Sequence, residues 1–494
     1  MILKEFEAMI GEEPEQNAPL SALPPDHLEM VAGWGEAYKG IGYVYRPVNV
    51  AQLRQVFQMA KAHGRTVGLR GGGNSYGDAA LNDENIVLDM RRMNRILDWQ
   101  PENGRLTVEP GVTLQRAWEY TVEDGWWIPV ATGTMKITVG GGAAMNVHGK
   151  NAWKIGTFGE HIAAFDLMLP NGNILTCSRE QNSDLFHAAI GGFGMLGVFT
   201  SLTLQLKRVY SGLLDVEGFT RPNLHETMTY FDDHLHNSDY LVAWLDAFSK
   251  GKALGRSELH RAHYLRPGAD PHPAQTLRLD NQHVPPDIMG FFPRSALWHF
   301  QVPFWNNFGM RFVNTAKYYA ARRKGHLKYR EAHGVYHFLL DSLDWKKPFG
   351  KGGLIQYQPF IPAANAEKAF TDILQLGQRH GLPNFLTVMK RHKPDPFLIS
   401  YGVDGYSLAM DWKVTKGNRE RLVQLTREMD EIVLANNGRF YLAKDSVLRP
   451  EVARAYLGEA TITRFRELKQ RCDPDGILET NLWRRVFVGN RVIT

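Results

Sequence analysis

Two glycine-rich segments constrain this chain more than any other feature of its sequence. The first, Leu69-Arg-Gly-Gly-Gly-Asn-Ser-Tyr-Gly-Asp78, follows a strand-like run, and the second, Val139-Gly-Gly-Gly-Ala-Ala-Met-Asn-Val-His-Gly-Lys-Asn151, repeats the pattern. Glycines permit positive φ angles and let backbone N–H groups approach a ligand that a Cβ atom would exclude. The pair therefore predicts a site for a large phosphorylated cofactor, although a tight turn explains either run alone.

The common nucleotide-binding loops do not fit these runs. No Gly-Lys-Ser/Thr follows at the spacing of a Walker loop. A third glycine run, Gly191-Gly-Phe-Gly-Met-Leu-Gly197, precedes a strand-like stretch, whereas a dinucleotide fingerprint requires a helix there. Mononucleotide binding by those two routes is therefore disfavoured.

The bulk composition excludes several classes of protein. A length of 494 residues predicts roughly two to four domains. The net charge of +5 is small and spread along the chain, so nucleic-acid binding is not expected. Two cysteines, Cys177 and Cys472, exclude a disulfide framework. Because Met1–Glu13 is acidic and lacks an apolar core, a cytoplasmic location is expected, and contact with a membrane surface stays open.

Local patterns predict an α+β domain between Tyr43 and Val209. One helix is expected to begin after Asn49 and another after Thr113, each with a single apolar face. Strands are expected between these helices, at residues 66–70, 86–89 and 105–108, and after them, at 197–206.

The stretch at about 251–331 is different, because it combines several prolines with aromatic and basic residues. We expect an irregular insertion that forms a lid over the active site or contacts a membrane, with a small independent core as the alternative. Regular patterns return afterwards and predict strands at 354–360, 385–391 and 406–414 with two amphipathic helices. This order suggests a sheet covered on one side by helices.

Three groups of residues are candidates for chemistry. His148 and Lys150 lie beside the second glycine run, where a hydrogen bond from the imidazole to a cofactor ring is favoured over a core histidine. No second ligand lies at a metal-binding spacing nearby, so no metal site is predicted. On a strand, Gln356 and Gln358 share one face and can bind hydroxyls of a polyol or sugar, unless that face is solvated. Lys444 is either catalytic or an ordinary surface lysine.

These segments together resemble one family, the vanillyl-alcohol-oxidase type of FAD-dependent oxidoreductases, and within it the members that oxidise polyprenyl-phosphoryl pentoses. The matching segments are Arg70–Asp78, Gly133–Thr134, Thr138–Gly141, His148–Asn151, Phe158–Gly159, Ala243–Asp246, Leu254–Arg256, Tyr336–His337, Gln356–Gln358, Gly438–Arg439 and Ala443–Ser446. They cover most of the chain.

The resemblance implies an α+β fold with a two-part FAD-binding domain of the PCMH type. That domain spans residues 30–209, and an inserted substrate domain at 210–435 is built on an antiparallel sheet covered by helices, with the lid-like insertion inside it. A C-terminal segment at 436–494 returns to the FAD domain.

The resemblance also implies roles for individual residues. The implied FAD-binding residues are Arg70, Gly71, Gly72, Gly73, Asn74, Ser75, Tyr76, Gly133, Thr134, Thr138, Gly140, Gly141, Asn146, His148 and Gly149. The implied substrate-binding residues are Lys150, Trp244, Tyr336, Gln356, Gln358, Ser407 and Lys444, and the catalytic ones are Lys444, His148 and Lys150.

Two departures from the family pattern qualify these roles. Asn74 stands where many relatives carry the histidine that links covalently to the flavin, so FAD is expected to be bound non-covalently. Ala409 replaces a pocket cysteine and Ser407 replaces an asparagine, which puts the substrate in doubt more than the reaction.

The implied reaction is oxidation of a secondary alcohol (a CH–OH group) on a sugar-like substrate, by hydride transfer to flavin N5. The expected substrate is a polyprenyl-phosphoryl pentose, with a soluble sugar, alditol or aldonolactone as the alternative. A flavin-binding subunit without activity is the alternative from another class. The electron acceptor, the oligomeric state and a partner reductase that completes an epimerisation stay open.

Overall fold

The computed structural model describes residues 23–288 and 290–488. The acidic segment Met1–Glu13 lies outside the described residues, and so do the last six residues of the predicted C-terminal segment. The described residues combine helices with mostly antiparallel sheets, as the predicted α+β class requires.

The first sheet ends in the first glycine-rich segment. Its strand order is β1-β2-β4-β3, with β1 antiparallel to β2 and the other pairs parallel. Helix α1 covers it, and the predicted cap is confirmed because Asn49 Oδ1 accepts a hydrogen bond of 3.0 Å from Gln52 N. The elements are β1 Leu28–Ala32, β2 Lys39–Tyr45, α1 Val50–Ala62, β3 Val67–Arg70 and β4 Ile86–Asp89.

The second sheet is antiparallel, with strand order β5-β6-β10-β8-β9. Helix α2 begins after Thr113, as predicted, because the Thr113 side chain accepts from Arg116 N. The elements are β5 Ile96–Gln100, β6 Arg105–Val108, α2 Leu114–Thr121, β7 Trp126–Trp127, α3 Val139–Ala144, α4 Ala152–Ile155, β8 Ile162–Met168, β9 Ile174–Ser178, α5 Ser183–Ala189, β10 Val198–Gln205 and β11 Lys207–Arg208.

A large antiparallel sheet forms the centre of the following region. Its order is β17-β12-β14-β13-β20-β21-β19-β22, and β18 also pairs with β21. Helices α6, α11 and α12 lie on one face, where Tyr406 on β21 donates to Asp232 of α6. The elements are β12 Leu213–Arg221, α6 Leu224–His234, β13 Tyr240–Leu245, β14 Ser257–Tyr264, β17 Leu327–Ala332, β18 Leu354–Tyr357, β19 Pro359–Pro362, α11 Ala363–Arg379, β20 Leu386–His392, β21 Gly405–Lys413, α12 Arg419–Ala435 and β22 Arg439–Phe440.

The stretch at 251–331 is less irregular than predicted. Strand β14 lies inside the large sheet, between β12 and β13, and buries Leu259 and Ala262. Its charged residues and histidines hid it, because neither face of the strand is continuously apolar. The remaining elements of the stretch are α7 Pro273–Thr276, β15 Asp287–Ile288, β16 Phe292–Pro293, α8 Trp298–Gln301 and the long helix α9 Asn307–Lys324.

The chain returns to the first sheet near its C-terminus. Val67 N donates to Ile477 O at 2.7 Å, and Glu479 N donates to Val67 O at 3.0 Å. These bonds place residues 477–479 beside β3, at the base of the first glycine-rich segment. The remaining helices are α10 His333–Phe338, α13 Pro450–Leu457, α14 Glu459–Cys472 and α15 Asn481–Trp483. Within the described ranges, none of the helices combines the length and the apolar character needed to cross a bilayer.

Candidate active site

A cavity lies between the two glycine-rich segments and the end of β22. Its empty volume is about 930 Å³, including the part that opens to solvent. Its wall includes nine of the residues predicted to bind the cofactor, together with Lys444. These nine are Arg70, Gly71, Gly72, Gly73, Asn74, Ser75, Thr138, Gly140 and Gly141. A concave site of this kind is where proteins hold cofactors.

Close backbone contact between the two segments explains their glycines. A Cβ atom on Gly71 would overlap Thr138 Oγ1, and one on Gly140 would lie 2.6 Å from Pro110 Cβ. Gly141 is different, because its only neighbour at that position is Thr138 Oγ1 at 3.0 Å and its remaining side faces the cavity. The two runs are therefore packed against each other while their backbone forms the cavity wall.

The prediction of positive φ angles in both runs is wrong for most of these glycines. Only Gly73, with φ of +67°, adopts such an angle within the two triplets. The second run is not a loop but the helix α3, which Thr138 caps by accepting from Gly141 N at 3.2 Å. Close packing requires Gly140 in this run, whereas Gly141 faces the cavity and Gly142 meets its neighbours at ordinary contact distances of 3.4–3.5 Å.

Arg70 gives the cavity an unsatisfied donor. Its Nη1 atom is buried and has no hydrogen-bond partner among the described residues. Burial lowers the pKa of the guanidinium, while Asp89 nearby counteracts this effect. An unpaired guanidinium beside exposed glycine backbone fits the charge of a pyrophosphate. The Arg70 guanidinium and the glycine backbone therefore make the cavity suitable for an anionic cofactor such as FAD.

Other predicted cofactor residues lie outside the cavity wall. They are Tyr76, Gly133, Thr134, Asn146, His148 and Gly149. Thr134 Oγ1 donates to Asp341 Oδ2 at 3.1 Å, and Met135 N donates to the same oxygen at 2.7 Å, which ties this loop to the central region. Asn146 Oδ1 accepts from Gly159 N at 3.0 Å and supports the turn after α3.

Polar residues from four strands share the face of the large sheet opposite the covering helices. Register pairs Gln356 with Asp411, Lys390 with Ser407, and Trp244 with Val388. The alternative of a solvated face is wrong for Gln356 and Gln358, which are both buried. A sheet face with this many buried polar groups is built to hold a polar ligand.

Lys444 reaches this face from the cavity. Its side chain is half-buried in the cavity wall and its Nζ lies 3.8 Å from the ring centroid of the buried Tyr76, which disfavours the alternative of an ordinary surface lysine. Burial lowers the pKa of Lys444 to about 7, an effect that Asp411 opposes and Lys390 strengthens. Burial raises the pKa of Asp411, whose Oδ1 accepts from Gln356 Nε2 at 2.5 Å. At neutral pH, Lys444 is thus able to accept a proton.

Lys150 and Lys390 add two more ammonium groups. Lys150 Nζ donates to Tyr336 O at 2.8 Å and lies 4.2 Å from the Tyr336 ring centroid. Burial lowers the pKa of Lys150 to about 7, with a smaller contribution from Lys390, and lowers that of Lys390 to about 8. Lys390 is the shared neighbour, because its charge acts on both Lys150 and Lys444, whereas Asp411 acts on Lys444 alone among the three lysines. Ammonium groups gathered in this way favour an anionic ligand.

His148 joins a hydrogen-bonded group behind the cavity. Its Nε2 lies 3.2 Å from Gln358 Nε2, which also donates to Ser407 Oγ at 3.1 Å. Burial holds the pKa of His148 well below its usual value, with Lys390 and His392 adding to the effect. The ring is neutral and accepts from Gln358, while its Nδ1 has no partner among the described residues. That nitrogen is left to donate to a ligand or water.

Helix α9 covers part of this face. Lys317 Nζ lies 4.1 Å from the Trp244 ring centroid and 3.1 Å from Glu258 Oε2. The insertion therefore contacts a predicted substrate-binding residue directly. Its position agrees with a lid at this edge of the sheet.

Sequence patterns alone did not reveal four polar residues of this region: Asp341, Lys390, His392 and Asp411. Lys390 lies on β20 and Asp411 on β21. Alternation along one strand does not show that these residues share a face with the glutamines, because that depends on which strands are paired. His392 donates to or accepts from Ser407 Oγ at 2.7 Å. Ser407, which the sequence already suggests as a substrate-binding residue, was the one indication that His392 belongs to the site.

Comparison with known proteins identifies a flavin-binding region in this chain. Residues 41–178, which include the first glycine-rich segment and most of the second sheet, match the family model described as an FAD binding domain. The protein is thus a flavoprotein, and most of the residues that line the cavity lie within the matched range.

Likeness to one bacterial oxidase extends over almost the whole chain. The decaprenylphosphoryl-beta-D-ribose oxidase of Mycolicibacterium smegmatis is 29% identical over 478 residues, which is 94% of this chain and 98% of that protein. The L-gulonolactone oxidase of Mus musculus is 31% identical over 196 residues, or 40% of this chain and 43% of that protein. Together with the FAD binding domain, these relatives, both named as oxidases, show that the chain is an FAD-dependent oxidoreductase, which confirms the predicted cofactor and enzyme class.

Proposed function

We propose that this enzyme oxidises a secondary alcohol on a polyprenyl-phosphoryl pentose. The observation that carries the proposal is the pair of lysines beside the base: Lys390 lies opposite Ser407 on the polar sheet face, and Lys150 Nζ lies 2.8 Å from Tyr336 O and close enough to Lys390 for the two charges to interact. A phosphate-bearing sugar matches this charge, whereas a neutral lactone does not. The relative from M. smegmatis carries a decaprenylphosphoryl ribose substrate in its name.

The polar sheet face supplies the remaining parts of the site. The amides of Gln356 and Gln358, with Ser407 beside them, bind sugar hydroxyls, and Trp244 and Tyr336 flank the ring. Lys444 accepts the proton of the reacting hydroxyl, directly or through water, because its pKa is lowered by burial. Lys150 and Lys390 hold the phosphate, and neutral His148 donates from Nδ1. Bound FAD supplies the acceptor for the hydride that leaves the carbinol carbon.

The proposed site lies where three parts of the chain meet. Residues 30–209 form the FAD-binding domain, and the large sheet within 210–435 forms the substrate domain with α9 as part of its lid. The C-terminal segment 436–494 begins with β22 at the edge of the large sheet, and its described part then returns to the FAD domain, which brings Lys444 to the boundary between the two. Oxidation gives a ketone, which a carbonyl reductase acting as partner would consume if an epimerisation follows.

FAD is held without a covalent bond in this proposal, because Asn74 cannot form the histidyl link. Gly141→Ala is expected to weaken FAD binding by roughly ten- to hundredfold, since its Cβ enters the cavity wall. Gly417→Ala is the matched control, because Gly417 is exposed outside the cavity wall and nothing lies within 4 Å of its Cβ position. FAD titration of the apoprotein measures both affinities. Flavin retained by the wild-type protein after denaturation and filtration would contradict the non-covalent assignment.

Anaerobic flavin reduction tests the substrate. A detergent-solubilised polyprenyl-phosphoryl pentose is expected to bleach the flavin bands within the dead time of manual mixing, because Lys150 and Lys390 bind its phosphate. The matched controls are the same pentose without phosphate and L-gulono-1,4-lactone, which should reduce the flavin at least tenfold more slowly at equal concentration.

The outcomes separate the alternatives. Faster reduction by the lactone or by a soluble sugar would replace the proposed substrate with the runner-up. No reduction by any of these compounds, with FAD bound, would favour a flavin-binding subunit without activity.

A further inference from the structure

The segment 288–330 differs from the rest of the chain in charge. It contains eight lysine or arginine residues and no aspartate or glutamate. Three of the eight are paired with acidic residues of the large sheet: Lys317 with Glu258, Lys328 with Glu217, and Arg330 with Asp215. Four others, all on α9, form no ion pair with any described residue: Arg311, Arg322, Arg323 and Lys324. The uncompensated positive charge is thus concentrated on one helix.

The same helix exposes large aromatic side chains. Met310, Asn314 and Tyr318 face the sheet and are buried. On the outer side, Phe308 is 86% exposed and Phe312 is 61% exposed. Residues four positions apart share one helical face, so these rings and the free arginines point away from the protein together.

Aromatic residues before α9 extend this surface. Phe304 stacks with Phe312 at 6.3 Å between ring centroids, and Phe292 contacts Phe300 at 5.6 Å. Phe291 and Phe300 are 77% and 64% exposed. Single exposed apolar residues are common, but a contiguous group indicates an interaction surface.

We propose that the outer face of α9 and the adjoining residues 291–304 dock on an anionic lipid bilayer. The phenylalanines enter the headgroup region, while Arg311, Arg322, Arg323 and Lys324 contact anionic headgroups. Charge decides the occupant, because a face with uncompensated arginines repels a second copy of itself. The inference rests on the proposed function in one respect: the inner side of α9 contacts Trp244 through Lys317, so a lipid-linked substrate would enter beside the bilayer.

Vesicle flotation of the FAD-loaded enzyme tests this surface without any substrate. The wild type is expected to float with vesicles of phosphatidylcholine and phosphatidylglycerol, and not with phosphatidylcholine alone. Arg322→Ala/Arg323→Ala should weaken binding about tenfold or more, and so should Phe308→Ser/Phe312→Ser. Added salt should weaken binding of the wild type, because headgroup attraction is screened.

Matched variants elsewhere control for lost charge and lost apolar surface. Lys416→Ala/Arg427→Ala removes two exposed charges near the covering helix α12, and Leu97→Ser/Tyr210→Ser removes two exposed apolar side chains. Both should float like the wild type. Bound FAD and far-UV circular dichroism show that each variant is folded.

Three results would overturn the proposal. They are no flotation of the wild type, unchanged flotation of both α9 variants, or a dimer that Phe308→Ser/Phe312→Ser dissociates in the absence of vesicle binding. Flavin reduction by detergent-solubilised substrate is measured separately, so membrane docking and the proposed reaction fail or succeed independently.

Discussion

Lys444→Ala is expected to slow flavin reduction by substrate by about 10²- to 10⁴-fold while FAD stays bound. The lysine is the group in the cavity wall whose lowered pKa allows it to accept the hydroxyl proton near neutral pH. Stopped-flow measurement of anaerobic flavin bleaching gives the rate, and the absorbance of the purified protein gives the FAD content. An unchanged rate would remove Lys444 from the reaction.

The pH dependence follows from the same group. Because Lys444 must be neutral to accept a proton, the rate of flavin reduction should rise as pH increases through about 7. Asp411 raises the pKa of Lys444 by charge, so Asp411→Asn should shift this rise to lower pH. Lys444→Ala should lack the rise. If Asp411→Asn had the same pH dependence of flavin reduction as the wild type, the charge of Asp411 would not control the pKa of Lys444.

Lys413→Ala is the matched control for Lys444→Ala. Lys413 lies on β21, where it donates to Trp305 O and Pro348 O at 3.3 Å each, outside the cavity wall. Its loss should leave flavin reduction within about twofold of the wild type, as expected for a partly exposed residue away from the site.

Local physical chemistry made the helices and several strands predictable. Asn49 and Thr113 cap the helices that their positions suggested, and Leu53, Val56 and Phe57 are buried on the predicted face. These features depend on residues within one or two turns of each other. The glycine segments likewise lie in the wall of the cavity, because a chain without Cβ atoms can pack closely and still expose its backbone.

Strand pairing over long distances set the limit of prediction. Lys390 and Asp411 belong to the polar face only because β20 pairs with β21 and β21 pairs with β18. A sequence shows which residues of one strand share a face, but not which strands are neighbours. The same reason hid β14, whose charged and histidine-rich sequence forms a central strand because it pairs with β12 on one side and β13 on the other.

Arg485→Met is expected to destabilise the folded enzyme by about 3–5 kcal/mol, because it removes the partner of two buried carboxylates. Arg485 Nη2 lies 2.7 Å from Asp78 Oδ1 and 2.8 Å from Asp445 Oδ2, and all three residues are at most 9% exposed. Asp78 ends the first glycine-rich segment and Asp445 follows Lys444. The guanidinium therefore fixes the cofactor cavity and the proposed base relative to each other. Urea unfolding of the FAD-loaded protein, followed by circular dichroism and flavin fluorescence, measures the loss.

An exposed ion pair provides the comparison. Arg464 pairs with Asp184 at 3.4 Å on the outside of α14, and its side chain is 49% exposed. Arg464→Met should cost at most about 1 kcal/mol, since solvent already screens that pair. Adding Asp78→Asn and Asp445→Asn to Arg485→Met should recover part of the lost stability, because the buried charges are then absent. If Arg485→Met were no more harmful than Arg464→Met, the C-terminal segment would not be fixed by this arginine, and the position of Lys444 would depend on the backbone of β22 alone.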